Sequence, residues 1–275
     1  MPGERVFEII GLSKPRIYYI IDARENHRNQ QSGQSKLTAS DEVILFLLFL
    51  KHNCVDVLLG AIFSMYRQRA QYIRTHMELW FYQFTNTLNE ISVGTLEARL
   101  KHAAELMETT ITFLMDCSEQ RVLQPGNPFH DTALFSYKSN QHSVIKLVVI
   151  SPRHKQILYM SKSYPGGTPE RTIVLESRPE WYDLLDSKEW GIGDNGFDGL
   201  DDYGMNIFTP PRRGDPLHPV VASLRVYIEN IFADIKDFRA CRDEIRMQYE
   251  HLSELLDHHN HLWSIVIHLI QWGRH

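Results

Sequence analysis

The sequence predicts an α/β domain preceded by an all-α one. Three observations carry that reading. Residues 38–109 read as successive helices with short breaks. Beyond Ile111 the pattern changes to short β-rich runs around a helix, followed by long helices. The charges are also sorted along the chain rather than mixed.

The organisation expected is a lead-in over 1–37, a helical region over 38–109 and an α/β region over 110–275. In the lead-in, residues 16–22 suit a short strand or helix. Residues 26–35 are polar and read as a loop. Thr38 or Ser40, followed by Asp41 and Glu42, is a helix start with acids in the first turn. That helix runs to about His52, and Asn53-Cys54 breaks it. Residues 55–63 form a second short helix, and Ser64-Met65 a tight turn. Residues 66–88 form a third helix carrying Arg67, Arg69, Arg74 and His76, with no acid before Glu78. Short helix, turn, basic helix is the helix-turn-helix pattern, and an all-α bundle with solvated charges fits the same residues. Thr95 caps a further helix to about Thr109.

In the α/β region the expected strands are 111–115, 132–137, 143–151, 156–163, 190–193 and 205–208. Pro165-Gly166-Gly167 is a turn. Residues 171–187 are helical with an interruption at Pro179. A long helix is expected over 219–250 and a last one over 253–271.

Composition bounds the rest. The chain has 275 residues, 43% of them hydrophobic and 23% charged, as in a folded protein. Three cysteines without a CxxC pair point to a reduced, intracellular setting. The longest apolar run, residues 43–50, is too short to span a bilayer, so no membrane partner is expected. The N-terminus has no signal-peptide layout. A net charge of -5 argues weakly against a nucleic-acid binder. Yet residues 1–90 carry 10 Lys and Arg against 9 Asp and Glu, and the remainder 19 against 25. Residues 137–162 hold Lys138, Lys146, Arg153, Lys155 and Lys162 with no acid. Residues 183–202 hold seven acids against Lys188 alone.

Three acids lie where chemistry would need them. Asp116 and Asp194 close expected strands, and strand ends in an α/β sheet present side chains to a cleft. Glu229 lies beside the apolar stripe Leu224, Ile228, Ile231, Ile235 and Phe238 of the long helix, four residues after Arg225. A carboxylate at such an edge needs a partner, either Arg225 or a metal shared with other acids.

At this point the residues carry a resemblance. Residues 225–236, RVYIENIFADIK, resemble the third block of DDE-superfamily transposases of the PIF/Harbinger type, in which an Arg precedes the catalytic Glu by four residues. Residues 192–197, IGDNGF, resemble the family's Gly-Asp-small-Gly-aromatic block. Residues 135–149 resemble the strand pair between the first two catalytic acids, and Tyr164-Pro165-Gly166-Gly167 the turn that follows. Residues 38–88 are similar to the helix-turn-helix region before the core. The chain departs from the pattern in three places. Asp116-Cys117-Ser118 stands for Asp-Gly-Thr, Pro169-Glu170 for a His-Asp pair, and Tyr66 for a Ser at the recognition-helix start.

The resemblance implies an RNase H-like core, with Asp116, Asp194 and Glu229 as catalytic residues holding Mg²⁺ or Mn²⁺. It implies a metal-dependent DNA endonuclease or transposase-like phosphoryl transferase. The alternative is a domesticated, non-catalytic module that binds DNA or protein. Arg67, Arg69, Arg74, Lys138, Lys146, Arg212, Arg213, Arg225 and Lys236 would then contact DNA. It further implies a Myb/SANT-like protein partner, a homo-oligomer and, for a eukaryotic chain, a nuclear location. Two other features have plain readings. Residues 257–261, DHHNH, suggest a polar helix stretch more than a metal site, and Cys117 a small buried thiol more than a nucleophile.

Overall fold

The computed structural model describes residues 12–30, 37–88, 91–211, 215 and 217–273. These fall into two compact units. One comprises Met1–Leu88, Lys236–Asp243 and His261–His275. The other comprises Asn89–Ile235 and Glu244–Asn260.

The first unit is helical. Helix α1 (Lys14–Asn29) begins with Pro15 in its first turn, where a missing N–H costs nothing. It takes in the four residues 26–29 expected as loop. The reason is tertiary: Arg24 is buried, its guanidinium bonded to Glu42 at 2.8–2.9 Å and stacked over Trp80. Helix α2 (Ala39–His52) starts at the expected cap. The Thr38 hydroxyl accepts from the Asp41 N–H, and the Asp41 carboxylate accepts from the Thr38 N–H, a capping box. Asn53, left-handed at φ 50°, ends it. Helix α3 (Asp56–Ile62) and helix α4 (Arg67–Asn86) are joined through Ser64, also left-handed at φ 53°. Gly60 makes this junction possible, since a Cβ there would lie 2.7 Å from the Met65 carbonyl oxygen. Tyr66 stands at the α4 N-cap and makes no side-chain cap bond.

The second unit is a mixed α/β structure whose sheet is flanked by helices, consistent with an RNase H-like core. Helix α5 (Leu96–Lys101) is capped by Thr95 as expected, but it stops eight residues early. Strand β1 (Ala104–Leu106) turns back on strand β2 (Thr109–Arg121), with Met107 left-handed at φ 56°. Thr109, Thr110 and Ile111 find partners in that hairpin, which a helix would forgo.

Helix α6 (Pro128–Leu134) occupies a segment expected as strand. Asn127 caps it by accepting from the Phe129 N–H, and Pro128 supplies a first-turn φ. Only strand β3 (Phe135–Ser136) remains of the expected strand. Strands β4 (Gln141–Ile150), β5 (Ile157–Met160) and β6 (Tyr164–Pro165) follow. Helix α7 (Glu170–Trp181) runs through Pro179, because a proline in the last turn forfeits a single ladder bond. Strands β7 (Trp190–Ile192) and β8 (Ile207–Phe208) complete the sheet.

The strand order is β3-β4-β2-β7-β8, with β1 on β2 and with β5 and β6 on β4. Strand β2 is antiparallel to β4 and parallel to β7, and β7 is parallel to β8. One face of the sheet packs Phe113, Met115, Leu147 and Val149 against Ile173, Val174 and Trp181 of α7. Gly191 allows close packing there, since a Cβ would lie 1.9 Å from the Phe113 ring.

Helix α8 (His218–Lys236) ends fourteen residues before the expected 250. Phe238 is extended and stands at the N-cap position of the short helix α9 (Arg239–Arg242), without a side-chain cap bond. Ile245 then exchanges backbone hydrogen bonds with Arg121 and Leu123 at the end of β2, which a continued helix could not make. Helix α10 (Leu252–Gly273) closes the chain as expected.

Candidate active site

The site grows from the register of β2 and β7. Leu114 pairs with Ile192, the last pair of that parallel ladder. Asp116 and Asp194 each lie two residues further on: Asp116, within β2, projects to the face of Leu114, and Asp194 stands at the N-cap of the turn after β7. Asp116 is not at the end of β2, as the apolar run suggested. The strand continues to Arg121 because residues 114–121 pair with β4. On the β7 side, however, Asp116 stands just past the ladder, where a sheet opens a cleft.

Backbone donors fix both acids. Asp116 accepts from the Cys117 N–H at 2.8 Å, and Asp194 from the Gly196 N–H at 2.7 Å. A third carboxylate joins them. Glu170, in the first turn of α7, accepts from the Lys138 ammonium at 2.5 Å, and that ammonium lies 3.7 Å from Asp194. The Arg225 guanidinium of α8 approaches Asp116 at 3.8 Å.

The electrostatics follow from burying carboxylates together. Burial, then the Asp194 charge, pushes Asp116 up to about 7, against the Cys117 hydrogen bond and Arg225. Burial also raises Glu170, with Lys138 opposing and Asp194 adding to the rise. Burial works against the Lys138 ammonium, but its bond to Glu170 and the surrounding carboxylates outweigh that and raise it to about 12. Cys117 is raised well above its ordinary value, first by burial and then by the acids, so it is a thiol and a poor nucleophile.

Glu229 stands apart. It is exposed on α8, one turn beyond Arg225, and makes no hydrogen bond or ion pair among the described residues. Among the described residues, no three His, Cys, Asp or Glu side chains are grouped as a metal site requires. Lys138 and Arg225 are the cations that approach these acids.

The residues expected to meet DNA divide. Arg67 and Arg69 are exposed at the start of α4. Arg74 is held by Asp56 at 2.8 Å and lies over the Phe49 ring. Lys236 is half-buried at the end of α8. Arg212 and Arg213 lie outside the described residues. Lys146 corrects its expectation: it is fully buried on β4 with its ammonium bonded to Asn260, so it presents no charge to a phosphate. Residues 137–162 are therefore no continuous basic surface. Lys138 turns to the acids, Lys146 turns inward, and Lys162 pairs with Glu176 at 3.6 Å. In the DHHNH stretch, His259 is buried and bonds Ser163 at 2.7 Å, which makes it a packing residue.

Glu170 is the residue that sequence reasoning underrated. Its signal was positional, directly after the Pro-Gly turn where the resemblance places an acid.

No helix among the described residues is long and apolar enough to cross a membrane. Comparison with curated proteins returns no match. Comparison with known families matches residues 115–271, more than half of the chain, from just before Asp116 to near the end of α10. By that match, the chain belongs to the DDE superfamily endonuclease family.

Proposed function

We propose that this chain is a metal-dependent DNA endonuclease of transposase-like type, with Asp116, Asp194 and Glu229 as its carboxylate triad. The observation that carries the reading is the placement of Asp116 and Asp194 side by side, just past the last pair of the β2–β7 ladder. The donor chemistry supports a hard divalent ion. The acids offer only oxygen, the donor type such an ion prefers. Bound Mg²⁺ or Mn²⁺ would supply an activated nucleophile and stabilise the departing 3′-oxygen of a phosphodiester.

The chain's own residues prepare that chemistry. Asp116 and Asp194 hold fixed orientations through the Cys117 and Gly196 N–H groups. The reading requires Glu229, exposed on α8 one turn beyond Arg225, to turn toward the acids. Arg67 and Arg69 offer exposed charge to a DNA backbone from a helix-turn-helix arrangement of α3 and α4. Arg74, Arg225 and Lys236 would join them only on leaving their present surroundings. The PIF/Harbinger-type resemblance extends the proposal to a Myb/SANT-like partner, self-association and a nuclear location.

Nicking of supercoiled plasmid by the purified chain, with and without Mg²⁺, tests it. Nicking should require the ion and fall to background in Asp194→Asn and Glu229→Gln. Cleavage that persists in either variant, or without divalent ions, would sink the triad.

A further inference from the structure

We propose that Tyr137 is a stacking residue beside the Asp116–Asp194 site, and that it takes an unpaired nucleobase of the DNA. The inference rests on the DNA reading of that site and adds the form of DNA that the site accepts.

Tyr137 opens the turn over residues 137–140 between β3 and β4. It is 87% exposed and makes no hydrogen bond among the described residues. Small polar residues serve a turn, and Ser139 and Asn140 supply them, Asn140 with a left-handed φ of 52°. The ring is therefore not needed to make the turn. One exposed aromatic says little by itself. The setting of this one gives it a use.

That setting is pinned and lies against the acids. Glu119 of β2 accepts from the hydroxyls of Ser136 at 2.8 Å, Ser139 at 2.6 Å and Ser143 at 3.0 Å, so the turn is tied on both sides of Tyr137. Lys138, the next residue, sends its ammonium to Glu170 at 2.5 Å and to within 3.7 Å of Asp194, with a side chain still 63% exposed. Adjacent Cα atoms are about 3.8 Å apart, so Tyr137 rises at the rim of the acid site. Phe135 meets the Tyr137 ring in a T-shaped contact, with centroids 5.1 Å apart and planes at 85°. Such a neighbour covers at most one face of the ring and leaves the other open.

A cation and an open ring on adjacent residues are the groups that a single-stranded nucleic-acid site combines. The cation follows the phosphates, and the ring takes the face of a base. In a duplex each base is already stacked on its neighbours and must leave the stack to meet a side chain. Tyr137 therefore favours DNA with an unpaired base next to the phosphate held at the acids. Because the turn is pinned beforehand, little ordering offsets the contact.

Fluorescence anisotropy of labelled DNA, with the full chain in buffer without divalent ions, tests this apart from any cleavage. The probes are a blunt duplex and the same duplex with a single-stranded tail. The wild type should bind the tailed probe more tightly. Tyr137→Ala should lose about tenfold on the tailed probe and nothing on the blunt one, which also shows that the variant is folded. Tyr137→Phe keeps the ring and should bind both probes like the wild type. A fluorescent adenine analogue in the tail should be quenched by the wild type and by Tyr137→Phe, but not by Tyr137→Ala. Equal wild-type binding of the two probes, or tailed-probe binding that survives Tyr137→Ala, would overturn the stacking role and leave the DNA reading standing. Equal losses in Tyr137→Ala and Tyr137→Phe would overturn it as well, since the hydroxyl would then make the contact. If the wild type binds neither probe, both readings fall together.

Discussion

Arg99 and Glu189 show how one residue pair can matter more than its position in the sequence suggests. Their side chains are each 3% exposed, with two hydrogen bonds of 2.5 and 2.7 Å between them. Arg99 also donates to the Val93 and Gly94 carbonyls, which orients the loop before α5. Burial alone would raise Glu189, and the bonds from Arg99 reverse that, holding the carboxyl below its ordinary value. Removing one partner leaves a buried charge uncompensated. Arg99→Leu should therefore cost about 3–5 kcal/mol in urea unfolding, whereas Arg99→Met with Glu189→Leu should recover much of that loss. A double variant as unstable as the single one would show that the loss is packing, not charge. Nothing at the sequence level linked these residues, since 90 positions separate them. Glu189 read only as one acid among seven in its segment. Asp116 and Asp194 were picked out as acids closing expected strands, Asp194 also by the IGDNGF block. The inward turn of Lys146 was not, since an isolated Lys is as easily a surface charge as a buried one.

Among elements, the helices with strong local signals are the ones the sequence revealed. Helix α2 begins at a capping box and ends at a left-handed Asn, both local devices. Helix α6 hid behind β-forming residues because its start depends on Asn127 and Pro128, outside the apolar run. Helix α8 ended early because Ile245 is claimed by β2. Helix α10 carries a consequence for pH. Residues 262–269 are buried in succession, and His268 is among them with its Nδ1 lacking a hydrogen-bond partner. Burial lowers His268 from 6.5 to about 4. The unfolded chain then takes the proton first. The stability contributed by neutral His268 is complete above about 6.5 and lost as pH falls through about 4, roughly 3 kcal/mol in all. Urea midpoints measured between pH 7 and 4 should fall accordingly, and His268→Leu should flatten that part of the profile. An unchanged slope in the variant would assign the acid sensitivity elsewhere.

For the whole molecule, the net charge of -5 has to be read by place. Asp116, Asp194 and Glu170 come together past the last pair of the β2–β7 ladder and at the start of α7, and Lys138 and Arg225 approach them from other segments. A divalent ion that binds there should stabilise the folded chain by mass action, about 2.7 kcal/mol at a hundred times its dissociation constant. Thermal melts with added Mg²⁺ should rise for the wild type and stay flat for Asp194→Asn. A rise of equal size in the variant would place the ion elsewhere.

The sequence by itself determined the α/β class, most helix starts and the β4 strand. Each is written in neighbouring residues: caps, and periods of two or near four. Only the tertiary structure decided that β2 runs past Asp116, that Lys146 is buried, and that Glu170 and Lys138 meet Asp194. Those outcomes depend on register between strands and on side chains brought together from remote positions. Local propensity carries no information about either, because long-range pairing is settled by what each backbone and charge finds to satisfy it in the folded chain.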